Sequence, residues 1–356
     1  MSIRASVRAL ARYHFTPRPS SVKLDQNEGP FDLPEGIREA ALERLRSAAW
    51  HRYPELHPRT LEEAIAVRHA WDPDGVVVSN GSNVLLQALV IVAGIGQSVL
   101  TVAPTFAVYG MQARLLGAEL VEVPLEGAGF GLPVDGLRSA MDGRRGIAFV
   151  PNPAAPTGNV HAREELTAVL ERGGDDWLVV LDEAYGEFAG TDHRDLVAAH
   201  PHAISVRTFS KAFGLAGARI GYGLMSPDVA TEVRKGLLPF SFSSLQAAVA
   251  MAALQHQAYV EERIALARRE RERLLAGLAL LPEVEPMPSH TNFVLFRVPD
   301  AGAVYRGLLE RDIAVRRQDH LLGLEGCLRV TAGAPADTDA FLQALPAVLR
   351  AEAVGG

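Results

Sequence analysis

Short apolar runs recur along the chain, separated by longer amphipathic stretches. "GVVVSNG", "SVLTVAPT", "AELVEVPL", "GIAFVPNP", "WLVVLDEAY" and "AISVRTFS" are rich in apolar and β-prone residues, and each ends in polar or turn-forming ones. Helical patterns fit between several of them, as in "SNVLLQALVIVAG" and "AREELTAVLERGG". This alternation predicts an α/β protein with a mostly parallel sheet covered on both faces. Ligands of such sheets lie beyond the carboxyl ends of the strands, and the polar residues that stand out fall there. Asn80 to Asn83 follow one strand, Asn152 another, Asp182 and Tyr185 a third, Ser210 and Lys211 a fourth.

The pattern changes after about residue 255. "YVEERIALARRERERLLAGLALL" reads as one long charged helix leading into a smaller α/β unit, with "TNFVLFRV", "DIAVRRQ" and "GCLRVTAG" as its strands. A chain of 356 residues exceeds one ordinary hydrophobic core. The expected division is a large domain over 29–254 and a small C-terminal domain over 255–356, with residues 1–28 packing against the small one.

Composition narrows the classes. The 35 basic and 42 acidic residues leave a net charge of −7, which argues against a nucleic-acid-binding surface. A single cysteine, Cys327, allows neither a disulfide framework nor a Cys-rich metal site, and its expected state is a small buried hydrophobe. No apolar run approaches the ~18 residues of a membrane span. At the N-terminus Arg4, Arg8 and Arg12 stand at helical spacing with no acid before Asp25. A targeting segment has the same look, but so short a stretch before the next motif favours a surface helix, and the expected location is cytoplasmic.

The candidate chemistry centres on "RTFSKAFGLAGARIG", where Lys211 sits among small and apolar residues. Lysine is seldom desolvated unless its charge is paired or used. Thr208, Ser210 and Arg219 stand beside it, and the small residues Gly214, Ala216, Gly217 and Ala218 permit close backbone approach. "SNGSNVLLQAL" places a Gly-Ser-Asn turn before an apolar helix, either a plain N-cap or a phosphate site at the helix start. Asp182, directly after a buried strand, either closes a turn or holds a positive charge on a buried ligand. Phe106 and Tyr109 either fill core or stack on a flat ring. Pyridoxal phosphate needs all of these together: an anchored phosphate, a protonated ring nitrogen, a tuned phenolic oxygen and an amine for its aldehyde.

With those residues the chain resembles the fold-type I pyridoxal-phosphate aminotransferases, and among them the histidinol-phosphate aminotransferases. The resemblance runs nearly end to end through "KLDQNEGPF", "RYPE", "NGSN", "PTFAVY", "NPAAPTGN", "LDEAYGEF", "RTFSKAFGLAGARIGYG", "SHTNFVLF" and "CLRVTAG". It implies that Lys211 takes the cofactor aldehyde and later moves the proton. Asp182 would pair with the ring nitrogen and Tyr185 would donate to the phenolic oxygen. Ser82, Asn83, Thr208, Ser210 and Arg219 would hold the phosphate, and Tyr109 would stack on the ring. Tyr53 would reach the phosphate of a neighbouring subunit, making a homodimer with shared sites. Arg329 would anchor the acidic group of the substrate, with Arg316 and Asn27 as further candidates. For Arg316 a solvated surface charge, and for Asn27 a turn-forming role, fit equally well.

Two positions depart from that pattern. Ala155 stands where the family usually has an asparagine that donates to the phenolic oxygen, and Val84 where an acid often follows the phosphate-binding turn. The implied activity is transfer of an amino group from histidinol phosphate to 2-oxoglutarate. Aromatic amino-acid transamination, decarboxylation of a phosphorylated amino acid, and a non-catalytic cofactor-binding role are the alternatives. No metal is implied.

Overall fold

The computed structural model of the chain describes residues 2–12 and 19–355. The basic N-terminal stretch forms a helix only over Ala5–Arg8, with no buried residue, and the described residues 9–12, Arg12 among them, do not continue it. Among the described residues, no helix is long and apolar enough to cross a membrane.

Thirteen strands occur among the described residues. They are β1 (Val22–Lys23), β2 (Val76–Ser79), β3 (Ser98–Ala103), β4 (Glu119–Pro124), β5 (Gly146–Pro151), β6 (Trp177–Asp182) and β7 (Ala203–Thr208). Next come β8 (Gly221–Leu224), β9 (Glu285–Pro286), β10 (Phe293–Arg297), β11 (Ile313–Ala314), β12 (Arg316–Arg317) and β13 (Cys327–Thr331).

The main sheet has the order β2-β8-β7-β6-β5-β3-β4. All its pairs are parallel except those of β8, which runs antiparallel to both β2 and β7. β5 and β7 are buried along their whole lengths, because both faces of the sheet are covered. Successive side chains alternate between two cores, as a strand's period of two requires. Ile147 and Phe149 join Leu85 and Leu89 of the helix Ser82–Ala93, whereas Ala148 and Val150 join Leu166 and Leu170 on the opposite face. Each such fully buried side chain contributes about 1.5–3 kcal/mol. At the edge, β4 carries Glu119 and Glu122 on exposed positions, which discourages pairing with another chain.

The C-terminal sheet is antiparallel, in the order β12-β13-β10-β9. Its core gathers Leu274 and Leu278 of the long helix Gln257–Ala279, Phe296, Leu328 and Phe341, together with Leu24 from the N-terminal segment. "DIAVRRQ" is not the single strand expected. It breaks at Val315, whose side chain turns into this core, so β11 pairs in parallel with β1 while β12 pairs with β13. Cys327 is buried with a free thiol.

Candidate active site

A cavity of about 380 Å³ opens beyond the carboxyl ends of the central strands. Ser82 and Asn83 reach it from the turn after β2, Tyr109 from the segment after β3, and Asp182 and Tyr185 from the end of β6. Thr208, Ser210 and Lys211 enter at the end of β7, with Arg219 just before β8. Ala155 forms part of the wall, and Gln26 and Glu28 close it from the N-terminal segment.

One end of the cavity is built for an anion. The helix Ser82–Ala93 begins after Gly81 with no side-chain cap and no acid in its first turn. Its first N–H groups and its dipole therefore face the cavity without a protein anion to satisfy them. Arg219 lies against this turn, where a Cβ on Gly81 would stand 2.6 Å from its Nη2. Gly81 also has φ +81°, so glycine is needed there twice over. Beneath the same turn, a Cβ on Gly221 would stand 2.2 Å from the backbone nitrogen of Ser82. Arg219 itself has φ +55°. Gln246 Nε2 donates to its carbonyl at 2.7 Å, and its own Nη1 donates to Ala216 O at 2.9 Å and more weakly to Ser210 Oγ at 3.4 Å. The backbone N–H of Ser210 donates to Thr208 Oγ1 at 3.1 Å, completing a group of hydroxyls beside the guanidinium.

At the middle of the cavity stands Asp182. Tyr109 donates its hydroxyl to Asp182 Oδ2 at 2.6 Å, and the Ala184 N–H donates to Oδ1 at 3.1 Å. Burial outweighs both bonds and pushes the carboxyl up to about 6, with the neighbouring Glu183 charge acting in the same direction. Tyr109 is fixed by stacking on Phe149, with ring centres 4.7 Å apart and planes within 5°. The sequence offered Tyr109 as a stacking ring and gave no sign of this bond to a carboxylate 73 positions away.

Behind Asp182, Glu183 is fully buried. Its Oε2 accepts from Arg207 Nη2 at 2.8 Å and from Ser205 Oγ, and its Oε1 meets His193 Nδ1 at 2.9 Å. Burial opposes ionisation here, but Arg207 and the hydrogen bonds prevail and bring Glu183 down to about 2. The two adjacent acids at the end of β6 are thus set apart by their partners. Sequence reasoning missed this network, although the paired "DE" and the arginine inside the apolar strand β7 were its available signals.

Lys211 Nζ donates to the carbonyls of Gln26 at 3.1 Å and Asn27 at 3.0 Å. Burial holds its amine below the usual value; Tyr185 and Glu28 oppose the shift, and Arg329 and Arg219 add to it. Tyr185 packs edge-on against Phe293, 5.2 Å between centres, and its hydroxyl accepts from Asn27 Nδ2 at 2.9 Å.

Four expected residues do not line the cavity: Asn27, Tyr53, Arg316 and Arg329. Asn27 is 1% exposed, and its side chain bonds Tyr185 and Thr331 instead of opening toward a substrate. Its left-handed backbone, φ +54°, turns it that way. Tyr53 lies on the surface, 84% exposed, against Phe240. Arg316 stands directly opposite Arg329 across the β12–β13 pair, so the two side chains share one face. Arg329 Nη2 donates to Asp25 O at 3.0 Å, and its guanidinium lies 5.2 Å from the Phe293 ring centre.

A sequence profile of the aminotransferase class I and II family matches residues 19–345. The histidinol-phosphate aminotransferase of Deinococcus radiodurans is 47% identical over 97% of this chain and 96% of its own length. That of Thermococcus gammatolerans is 37% identical over 98% of each. In three dimensions the chain is similar to the histidinol-phosphate aminotransferase of Sinorhizobium meliloti solved in complex with pyridoxal-5'-phosphate. The TM-score is 0.89, at 26% identity over 98% of both chains.

Proposed function

The chain belongs to the class I and II aminotransferases, and we propose that it moves the amino group of histidinol phosphate to 2-oxoglutarate, a step of histidine biosynthesis. It is a pyridoxal-phosphate-dependent aminotransferase. The observation that carries the reading is the convergence of a buried amine, a buried acid and an uncapped helix start on one cavity. The choice of donor and acceptor rests on the similarity to the named relatives.

The residues present fit the cofactor. The turn at Gly81, the helix start and Arg219 suit a phosphate dianion, which would relieve the uncapped N–H groups and pair the guanidinium. Ser82, Asn83, Thr208 and Ser210 add polar contacts there. Asp182, held between Tyr109 and Ala184, would keep a proton on the ring nitrogen, and Tyr185 would donate to the phenolic oxygen. Tyr109 offers its remaining face to the ring. Bound in this way, the cofactor supplies a ring that accepts the electrons released at the substrate's amino carbon. Lys211 Nζ, buried beside the Gln26 and Asn27 carbonyls, would take the proton from that carbon and pass it to the carbon that had been the cofactor's aldehyde, moving it the opposite way in the second half of the cycle.

Arg329 and Arg316 would anchor an acidic group of the substrate. Their side chains share one face of the β12–β13 pair, and the guanidinium fork suits a carboxylate or a phosphate. Tyr53 and Phe240 form an exposed aromatic pair, which suits a homodimer in which Tyr53 reaches the partner's phosphate site. The bounds 29–254 and 255–356 stand as the proposed domains, and the cytoplasm as the proposed location.

The test is a half-reaction. Purified holoenzyme is mixed, without acceptor, with histidinol phosphate, glutamate or an aromatic amino acid, and the bound cofactor's absorbance is followed. Conversion by histidinol phosphate and by glutamate is expected. Conversion by the aromatic amino acid alone would overturn the donor assignment.

A further inference from the structure

Asn27 touches both reactive side chains of the site while standing outside the cavity wall. Its carbonyl accepts from Lys211 Nζ at 3.0 Å and from Asn292 Nδ2 at 3.1 Å. Its Nδ2 donates to the Tyr185 hydroxyl at 2.9 Å, and its backbone N–H donates to Thr331 Oγ1 at 3.0 Å. Asparagine enters the left-handed region more readily than other non-glycine residues. The residue is therefore suited to both its backbone and its partners.

The direction of the amide bond matters. An amide N–H can only donate, so the Tyr185 oxygen is the acceptor in this pair. The phenol's own hydrogen then remains for another partner, and packing against Phe293 keeps the ring from swinging. Across the cavity, Ala155 has no side-chain donor.

We propose that Asn27 is a positioning residue whose side-chain amide directs the Tyr185 hydrogen into the cavity, making Tyr185 the committed donor to the cofactor's phenolic oxygen where Ala155 supplies none. The proposal rests on the pyridoxal-phosphate reading of the site. The other ionisable groups facing Tyr185 and Lys211 are Tyr109, Asp182, Glu28, Arg219 and Arg329, and the test leaves all of them unchanged.

Two substitutions separate the amide's direction from its bulk. Asn27→Asp keeps the size but accepts where asparagine donates, so it draws the Tyr185 hydrogen away from the cavity. Asn27→Gly removes the amide, suits the left-handed backbone and keeps the carbonyl that Lys211 uses. The readout is the pH midpoint of the bound cofactor's absorbance in the holoenzyme, with no substrate present. A hydrogen bond to a charged oxygen favours the charged form. Asn27→Asp should therefore raise the midpoint by about one pH unit, the scale of one such bond, and Asn27→Gly should raise it by less. In a Tyr185→Phe background Asn27→Asp should add no further rise. An equal rise in that background would mean the new charge acts by itself, and it overturns the proposal. So does an unmoved midpoint in Asn27→Asp when the parent titrates normally. A parent protein that gives no cofactor absorbance overturns the cofactor reading, and the proposal with it.

Discussion

Asp182→Asn removes a charge from a position where burial resists it. In the folded, cofactor-free protein the Asp182 carboxyl is pushed from its ordinary 3.8 up to about 6, with burial the largest cause. Between those two values the native state binds a proton that the unfolded chain has already lost. Stability from this group is thus full below pH 3.8 and drains away as the pH rises through 6. The gap corresponds to about 3 kcal/mol at roughly 1.4 kcal/mol per unit. Asparagine carries no charge at any pH and keeps an oxygen to accept from Tyr109. The variant should therefore outlast the parent in cofactor-free form, and its advantage should grow by about 2 kcal/mol between pH 4.5 and pH 8. Urea unfolding of both proteins, stripped of cofactor, measures it. The same variant should hold pyridoxal phosphate more weakly and lose turnover, because the ring nitrogen has no anionic partner. A stability difference that does not change with pH, or an asparagine variant less stable at pH 8, would refute the account of Asp182 as a charge held against its surroundings.

Lys211→Ala should abolish turnover with every amino donor while the phosphate cradle still retains cofactor; parental rates in a steady-state assay would end the assignment. Gly81→Ala places a carbon 2.6 Å from Arg219 Nη2. Loss of the charge-assisted contact, about 1.5–3 kcal/mol, should weaken cofactor binding roughly ten- to hundredfold in an equilibrium titration. Ala155→Asn adds an amide donor at the cavity wall and should lower the pH midpoint of the bound cofactor's absorbance by about one unit; a spectrophotometric titration of both proteins decides it.

The central parallel strands were legible because each is a mostly apolar run, the mark of a strand buried on both faces, whereas the edge strand β4 carries two glutamates. β8 was not, since "GYGL" is half glycine and reads as a turn. Its glycines answer to packing: Gly221 passes under the helix start at Ser82, and Gly223 passes Met225 and Leu85. The positions of Lys211, Asp182 and Arg219 could be read because each follows or precedes a strand at the ligand-binding edge. Contacts between distant segments could not. Nothing near Asn27 in sequence reveals that its partners are Tyr185, Lys211 and Thr331. An arginine inside the apolar strand β7 signals a buried partner, but does not say that the partner is Glu183, 24 positions away. Tyr53 was named through family likeness alone, and the single chain leaves it on the surface.

The pairing of β1 with β11 has a consequence for the order in which the protein can become active. Gln26, Asn27 and Glu28 are made long before their partners, yet the segment that carries them is held by Ile313, Ala314 and Thr331. Asn27 and Thr331 are 304 positions apart. At typical elongation rates of about 5–20 residues per second, roughly 15–60 s pass between the emergence of one and of the other. Through that interval the large sheet can fold around Lys211, but the carbonyls that hold its amine have no fixed place. The nascent chain thus lacks the wall that sets its reactive amine, and that wall closes only when the last strand arrives.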